Sequence, residues 1–288
     1  MSAEYIIITP ARDEETFLEL TANSVISQTL PPLEWVIVDD GSTDRTPEII
    51  QRCARAHEWI TPVYLPNCGP RVNGFGPMRA FHAGMNALRL EDWRFLVKLD
   101  ADISFSPDYF ASCLQEFAMD SNLGIVGGLV VTESNGSASI ERHPHFHVRG
   151  ATKIYRRECW DAIGGLLEGP GWDTVDEVKA NMLGWRTRTL EHLRIRQHRR
   201  TGAAAGWFGN TMKNGWANYV AGYHPLFMLA KCCRRAAQHP YFLQSVVLLL
   251  GYLKGYLLRR PRVADPALVS YLRHQQLRRL AGMKSIWR

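Results

Sequence analysis

Short apolar runs alternate with helical repeats along the first 130 residues of the chain. Four runs are rich in β-branched residues and lack an alternating polar face, which predicts strands buried on both faces: 5–9, 35–38, 95–99 and 124–131. Between these runs, apolar residues recur at helical spacing, and Thr46 followed by Pro47 is typical of the start of a helix. The alternation predicts an α/β fold with a mainly parallel, twisted sheet flanked by helices.

Carboxylates follow two of the predicted strands directly. Asp39 and Asp40 come after the second run, and Asp100 and Asp102 come after the third. Ligands of open parallel sheets bind beyond the carboxyl ends of the strands, and neighbouring carboxylates repel one another, so a cation is the simplest reason for this placement. The spacing Asp100-Ala101-Asp102 lets two oxygen ligands converge on Mn²⁺ or Mg²⁺, although a capped turn before the next helix would use the same residues.

The chain has no glycine-rich cradle for phosphates. No G-x-G-x-x-G follows the first strand, and no G-x-x-x-x-G-K-[ST] is present. Dinucleotide-binding and P-loop classes therefore lack the motif that they need, and a metal would have to hold the phosphates instead.

Three segments together resemble family 2 of the inverting glycosyltransferases, which have the GT-A fold. They are TPARDE at 9–14, VIVDDGSTD at 36–44 and LDAD at 99–102, and the resemblance covers roughly residues 4–190. It implies a Rossmann-like sheet and a metal-dependent enzyme that uses Mn²⁺ or Mg²⁺. Such an enzyme transfers a sugar from a UDP-, GDP- or dTDP-linked donor to an acceptor hydroxyl, with inversion at the anomeric carbon.

The resemblance assigns residues to the nucleotide. Thr9, Pro10 and Ala11 would line the nucleotide pocket. One carboxylate of the pair Asp39 and Asp40 would accept a hydrogen bond from the base, and Asp40 is the favoured one.

A second group of residues would hold the diphosphate. Asp100, with Ala101 beside it, would lie by the ribose or next to the metal, and Asp102 would bind the metal that bridges the phosphates. Arg71 or Arg79 could add positive charge at the phosphates, but a surface or packing salt bridge explains each arginine equally well.

The second half of the family pattern contains the catalytic base. The turn at 164–166 and the segment at 184–186 match the two ends of that pattern. Counting back from the second segment aligns Asp173 with the base, although Trp172 replaces the usual Glu. That departure leaves Asp176 as an alternative base. Inverting transfer needs such a carboxylate because a base must take the proton of the acceptor hydroxyl as its oxygen attacks.

Several later residues offer polar groups without a unique role. A late histidine completes the metal coordination in several GT-A enzymes, so His198 is the candidate third ligand, although the basic run around it argues equally for phosphate or lipid contact. The alternating residues His143, His145 and His147 would share one face of a strand. We expect this face to be a wall of the acceptor site or plain surface, in preference to a zinc site. Carbohydrate sites and membrane boundaries both favour the aromatic and amide groups at Trp207, Asn210, Asn214, Trp216 and Tyr219.

Charge divides the chain near residue 185. Residues 1–185 hold 15 Lys and Arg against 26 Asp and Glu, whereas residues 186–288 hold 19 against 2. This asymmetry predicts an acidic body that carries the chemistry and a basic region that meets a polyanion. We therefore predict a nucleotide-sugar-binding and catalytic domain over 1–205 and a basic, apolar helical extension over 206–288.

The apolar segment 242–258 indicates whether the basic region meets a membrane or a nucleic acid. Its roughly 17 residues are interrupted by Lys254 and are short for a membrane-spanning helix. Arginines flank it on both sides, which favours a helix lying in the headgroup region of an anionic membrane over a nucleic-acid partner. A helix packed into the core is the alternative interpretation, because a wide apolar face is typical of both.

The remaining expectations concern the compartment and the acceptor. The N-terminus lacks a basic region and a long apolar run, and none of the six cysteines forms a C-x-x-C pair, which predicts a cytoplasmic protein. Together with the basic extension, this indicates a peripheral protein on the inner face of the cell membrane with a glycan or lipid-linked acceptor. The competing hypothesis is a non-catalytic membrane-surface or scaffold protein on the same fold.

Overall fold

The computed structural model describes residues 4–69, 75–134, 137–140, 143–199, 206–237 and 241–287. The strands are β1 (Tyr5–Ala11), β2 (Glu34–Asp39), β3 (Ile60–Tyr64), β4 (Phe95–Leu99), β5 (Ile103–Phe105), β6 (Leu123–Ser134), β7 (Ser137–Ile140), β8 (Thr152–Arg156) and β9 (Arg186–Gln197). The helices are α1 (Leu18–Ile26), α2 (Thr46–Ala56), α3 (Gly76–Asn86), α4 (Tyr109–Met119), α5 (Arg157–Ile163), α6 (Trp172–Met182), α7 (Gly206–Val220), α8 (Pro225–Ala236), α9 (Leu243–Leu257) and α10 (Pro266–Leu280).

One sheet contains these strands in the order β3-β2-β1-β4-β8-β6-β9-β5, with β7 paired to β6. β1 is parallel to β2 and β4, and β2 is parallel to β3. Beyond β4 the pairing is mixed, because β8 is antiparallel to β4 and β6 whereas β6 and β9 are parallel. The α/β prediction is confirmed, and the continuously parallel part of the sheet consists of β1 to β4.

Helices cover both faces of the parallel strands. In β1, Tyr5 and Ile7 pack with α1, α2 and α4, whereas Ile6 and Ile8 pack with α3 and α5 on the opposite face. Successive side chains of a strand point to opposite faces, so a strand covered on both sides has to be apolar throughout. This explains why the predicted strands read as continuous apolar runs.

The C-terminal helices share a third core with the rest of the chain. Val175 and Val178 of α6 pack there with residues of α7 to α10. α7 and α9 approach so closely that a Cβ on Gly215 or Gly251 would lie 2.1 Å from a backbone oxygen of the other helix. The predicted domain boundary at 205 falls in the stretch 200–205, which lies outside the described residues.

The predicted apolar segment forms α9, which has two different faces. Ser245, Leu248, Gly251, Tyr252 and Gly255 are buried. A stripe at spacings of three and four residues is exposed, and we call it the outer face of α9: Leu243, Val246, Leu250, Leu253 and Leu257. Of the helices in the described ranges, none has the length and apolarity that crossing a membrane requires.

Candidate functional site

The carboxyl ends of β1, β2 and β4 meet at one edge of the sheet. Ala11 lies opposite Asp39 in the register, and the Asp40 N–H donates to the Ala11 carbonyl at 2.8 Å. After β4, the Asp100 N–H donates to Ala151 O at 2.8 Å, which ties this strand end to β8. The predicted nucleotide segments and the Asp100-Ala101-Asp102 segment therefore follow strands that are neighbours in the sheet.

The two aspartates after β2 have different surroundings. The buried Asp39 accepts a hydrogen bond from the Ser42 N–H at 3.2 Å, and burial raises the pKa of its carboxyl. The buried Asp40 receives the guanidinium of Arg79 and has Arg12 at 3.9 Å. Asp40 is thus engaged by arginines, whereas Asp39 has backbone and hydroxyl groups as its partners.

A glycine turn holds this edge against the loop after β3. Gly41 has φ of 71°, and a Cβ there would lie 2.5 Å from the Cα of Asn67. The Asn67 side chain donates to the Gly41 carbonyl at 2.9 Å, and Arg12 donates to the Gly69 carbonyl at 2.6 Å. The close approach therefore requires glycine after the two aspartates.

The structure describes some of the predicted nucleotide residues in detail. Thr9 is fully buried, and its hydroxyl accepts a hydrogen bond from Trp35 Nε1 at 2.9 Å, so its side chain belongs to the core. Pro10 and Ala11 continue the same strand to the sheet edge. Arg71 lies outside the described residues.

Asp100 and Asp102 form a pair of like charges beside one lysine. Lys98 is buried in β4 and donates to Asp100 and, at 2.6 Å, to the Gly150 carbonyl. Burial, together with the negative charge of Asp100, raises the pKa of Asp102 to about 6. Ala101 between them is buried, and a short turn at 101–102 follows β4.

These two carboxylates fit a hard divalent cation. A cation between them would offset their mutual repulsion, and Mn²⁺ or Mg²⁺ takes its other ligands from water and phosphates. Within the described ranges, no three His, Cys, Asp or Glu side chains converge as a metal site. The His198 backbone N–H donates to the Asp102 carbonyl at 2.9 Å, while its ring meets Ser104 Oγ at 2.9 Å and stacks on Phe17. The third-ligand role of His198 stays a prediction.

The start of α6 packs against the same lysine. Trp172 lies over the ammonium groups of Lys98 and Lys153, 5.2 and 5.3 Å from the ring centroid. Lys98 and Lys153 face one another in the register of β4 and β8. The residue that replaces the usual Glu of the family thus connects α6 to the strand end that carries Asp100.

Asp173, the predicted base, is half-buried in the first turn of α6. Burial alone would raise the pKa of its carboxyl, but nearby positive charge outweighs burial and lowers the pKa. The groups that supply this charge are His147, Lys153, Arg149 and Lys213. Asp173 is therefore ionised at neutral pH, as a general base has to be.

Asp176, the alternative base, belongs to a buried ion network. It binds Lys153 Nζ at 2.9 Å and accepts a hydrogen bond from the Tyr155 hydroxyl at 2.6 Å. Glu177 binds the same lysine at 2.7 Å and His147 at 2.9 Å. Burial raises the pKa of Asp176 to about 6, and the carboxylate has little contact with solvent.

The three alternating histidines lie in a loop and not on a strand. His147 contacts Glu177, and its ring centroid is 4.9 Å from that of His143. His145 lies 3.8 Å from Glu191, and all three histidines line a cavity of about 420 Å³. Of these three histidines, His147 acts on the candidate base Asp173, and the role of the loop as a wall of the acceptor site stays a prediction.

Several residues at this edge had no role in the prediction from sequence. They are Arg12, Lys98, Lys153 and Glu177. Two of them carried a signal, because Lys98 and Lys153 are charged positions inside apolar strand segments, and a buried charge needs a partner. Asp100, one partner of Lys98, lies two residues away in the chain. The other partners were not readable from local sequence, because Gly150 lies 52 residues from Lys98 and Asp176 lies 23 residues from Lys153.

Comparison with known proteins identifies relatives that match part of the chain. TuaG of Bacillus subtilis (strain 168), described as a glycosyltransferase of teichuronic acid biosynthesis, is 35% identical over 115 residues, which are 40% of this chain and 41% of TuaG. Chondroitin synthase of Escherichia coli is 32% identical over 120 residues, which are 42% of this chain and 16% of that protein. The chain thus matches less than half the length of these relatives.

Solved structures share the fold of the whole chain. The mannosyltransferase PcManGT of Pyrobaculum calidifontis, solved with GDP-Man and Mn²⁺, has a TM-score of 0.58 at 19% identity, over 99% of this chain and 77% of that one. S. aureus TarS 1-349 in complex with UDP-GlcNAc has a TM-score of 0.58 at 17% identity, over 94% and 80%. At these identities the likeness establishes the fold, which is that of GT-A glycosyltransferases.

The family itself is established by sequence. The model of glycosyl transferase family 2 matches residues 6–168, which include the ends of β1, β2 and β4 and all four aspartates after them. Because this match spans more than half of the chain, the protein belongs to glycosyl transferase family 2.

Proposed function

We propose that the protein is an inverting glycosyltransferase that moves a sugar from a nucleoside diphosphate sugar to an acceptor hydroxyl. One observation carries the proposal: the ring of Trp172 lies against the ammonium group of Lys98. This contact joins the start of α6, where Asp173 lies, to the end of β4, which Asp100 and Asp102 follow. A base for the acceptor and carboxylates for the donor phosphates thereby belong to one edge of the sheet. The relatives named for polysaccharide synthesis support an acceptor of that class.

The donor nucleotide would bind where β1 and β2 end. Pro10 and Ala11 would line its pocket together with the backbone of Thr9, whose hydroxyl is engaged in the core. Asp39 is the better candidate for the base, because Asp40 already receives Arg79 and Arg12. Those two arginines would bring positive charge toward the phosphates, whereas Arg71, the other arginine predicted for this role, lies outside the described residues.

Asp102 would bind Mn²⁺ or Mg²⁺, with Asp100 beside it or bound to the ribose, and His198 is the candidate third ligand. When bound, the metal would supply charge that stabilises the diphosphate as it leaves. Lys98 holds Asp100 toward Gly150 and so limits the positions that its carboxylate can take. The solved neighbour with Mn²⁺ and GDP-Man supports this chemistry for the fold.

Asp173 would act as the base. The acceptor oxygen attacks the anomeric carbon, its proton passes to the Asp173 carboxylate, and the bond from that carbon to the diphosphate oxygen breaks. The positive groups around Asp173 keep it ionised before the reaction. Asp176 is a poor base by comparison, because Lys153 and Tyr155 occupy its oxygens in the interior.

The acceptor would be a glycan or lipid-linked precursor, met at the cytoplasmic face of the membrane. The outer face of α9 presents five apolar side chains to solvent. The exposed arginines Arg234, Arg259 and Arg260 flank that helix, and they complement anionic lipid headgroups. Apolar side chains with a basic rim are typical of peripheral membrane contact.

A thermal-shift panel tests the donor site. UDP, GDP and dTDP are each added with Mn²⁺, Mg²⁺ or EDTA, because a ligand that binds only the folded state raises Tm. We expect one nucleotide to raise Tm in a metal-dependent way, and we expect Asp102→Asn to abolish that rise. Asp161→Asn, an exposed aspartate on α5, is the matched control and should keep the rise.

The non-catalytic hypothesis makes the opposite prediction for the same panel. If no nucleotide raises Tm with either metal, the chain is better explained as a membrane-surface or scaffold protein. A rise that persists in Asp102→Asn would contradict the metal role of this residue.

A further inference from the structure

The basic C-terminal helices reach the candidate base. In α7, Ala217 lies against Gly171, the residue before α6, where an added Cβ would meet the Ala217 carbonyl at 3.0 Å. One turn earlier on the same helix, Lys213 lies within electrostatic range of Asp173. Positions i and i+4 share a helix face, so this face of α7 meets the start of α6.

A second lysine approaches from α8. Lys231 Nζ donates to Asn218 Oδ1 at 3.3 Å and lies 5.1 Å from the ring centroid of Tyr223. Tyr223 interacts with Thr174, the neighbour of Asp173 in α6. The chain of contacts from Lys231 therefore leads to the turn that carries the base.

Two donors of this cluster are without a hydrogen-bond partner among the described residues. Asn218 is 8% exposed, and its Nδ2 is buried and unpartnered. The half-buried Lys213 has no hydrogen bond either, within the part of the chain that the structure describes. An unpaired buried donor costs free energy, which a ligand oxygen would recover.

Charge around Asp173 exceeds what that carboxylate can neutralise. Lys153 and His147 are matched by Asp176 and Glu177. Arg149, Lys213 and Lys231 add further positive charge, and Asp173 is an acidic neighbour of both lysines. Burial, with the positive charge of Arg235 nearby, lowers the pKa of Lys231 to about 8, and the attraction of Asp173 does not offset this decrease.

We propose that Lys213, Lys231 and Asn218 bind an anionic group of the acceptor, a phosphate or a carboxylate, beside Asp173. This inference rests on the proposed function, because Asp173 would take the proton of the same acceptor. The anionic group anchors the acceptor through three donors, and the acceptor hydroxyl then lies at the base. The C-terminal helices thereby select acidic acceptors, in addition to any role at the membrane.

Inorganic phosphate and methyl β-glucuronide are the probes, added to the full chain in EDTA and without nucleotide. Methyl β-glucoside and NaCl at matched ionic strength are the reference additions. We expect at least one acidic probe to raise Tm by about 3 °C at ten times its dissociation constant. The probe that acts identifies the source of the anion as a phosphate or as a uronic acid.

Variants assign the effect to this site. Lys213→Met and Lys231→Met should each weaken the acidic probe about tenfold or more, whereas Lys213→Arg should retain it. Lys284→Met, which removes an exposed lysine near the C-terminus, is the matched control and should bind as the wild type does. The Tm of each variant without probe reports whether the variant folds. If Lys213→Met does not fold, Lys213→Arg and Lys231→Met still test the site.

Three results would overturn the inference: no acidic probe exceeds NaCl, both methionine variants bind normally, or Asp102→Asn alone abolishes the effect. The last result would assign the anion to the donor phosphates and leave the proposed function in place. Failure of the proposed function is seen separately, in the panel with nucleotides and metals.

Discussion

Asp173 and Asp176 are three residues apart on α6, and their surroundings suit them to different tasks. Asp173 is half-buried at the helix start, where nearby cations lower the pKa of its carboxyl. Asp176 is enclosed with Lys153 and Tyr155. A base has to meet the acceptor, so access as well as charge favours Asp173.

The first prediction concerns this assignment. Asp173→Asn should lower kcat by about 10² to 10⁴-fold, because the amide cannot take the acceptor proton. The affinity for the donor nucleotide should not change, since the donor carboxylates are untouched. Initial rates with saturating donor, combined with nucleotide binding, measure both quantities.

Asp161→Asn is again the control and should leave kcat unchanged, because Asp161 is an exposed residue of α5 that pairs only loosely with Arg157. If Asp176→Asn reproduces the loss while the protein stays folded, Asp176 is the base and the alignment of the family pattern is shifted by one helical turn.

Local sequence patterns predicted some residues of this site and not others. Asp39, Asp40, Asp100 and Asp102 were predicted because they directly follow strands, where ligands bind, and because neighbouring carboxylates repel one another unless a cation is present. The predicted helix cap at Thr46 differs from the structure, in which the Thr46 N–H is bound by the Asp44 side chain at 2.9 Å. The Thr46 hydroxyl accepts from the Glu14 N–H instead, at 2.7 Å, a contact across 32 residues that no local pattern contains.

At the scale of elements, α9 illustrates how one apolar segment serves two environments. Gly251 and Gly255 could have formed a polar stripe toward water, and they instead allow α7 to approach within backbone contact. The leucines consequently face outward. One face is packed into the core, as the core interpretation predicts, and contact of the exposed face with a membrane stays a prediction.

The outer face of α9 gives an element-scale prediction. Leu250→Glu with Leu253→Glu should reduce co-sedimentation with phosphatidylglycerol-containing vesicles by about tenfold or more, because two apolar contacts are replaced by charge that anionic lipid repels. Vesicles of phosphatidylcholine alone measure the part of the membrane binding that does not depend on anionic headgroups.

The matched control is Leu20→Glu, an exposed leucine on α1 far along the chain from the basic helices. It should sediment with the vesicles as the wild type does. Equal sedimentation of the α9 variant and the wild type would contradict membrane contact through this face.

At the scale of the whole molecule, the buried network of Lys153, Asp176 and Glu177 links β8 to α6. Its two carboxylates share one lysine, and burial raises the pKa of Asp176 from 3.8 to about 6 in the folded state. A raised folded pKa means that the stabilising contribution is present below the unfolded value and is lost as pH rises through the folded one.

Stability should therefore depend on pH through Asp176. Between pH 5 and pH 7.5, this group should lower the free energy of unfolding by about 1.4 kcal/mol in the wild type, and Asp176→Asn should lack that decrease. Urea unfolding of both proteins at the two pH values measures the difference. Parallel pH dependence of the two proteins would contradict the raised pKa, and Asp161→Asn should behave as the wild type does.

The sequence by itself determined the α/β class, the positions of β1, β2 and β4, and the aspartates that follow them. These features are local, because continuous apolar runs and carboxylates at their ends are readable within about ten residues. The charge division near residue 185 was equally readable, since charge counts need no contacts.

Only the tertiary structure decided which of these groups meet. The contact of Trp172 with Lys98 spans 74 positions of the chain, and the electrostatic interaction of Lys213 with Asp173 spans 40. Burial separates Asp173 from Asp176, and close helix packing turns the leucines of α9 outward. Such outcomes depend on the packing of distant elements against one another, and no pattern within a single segment encodes that packing.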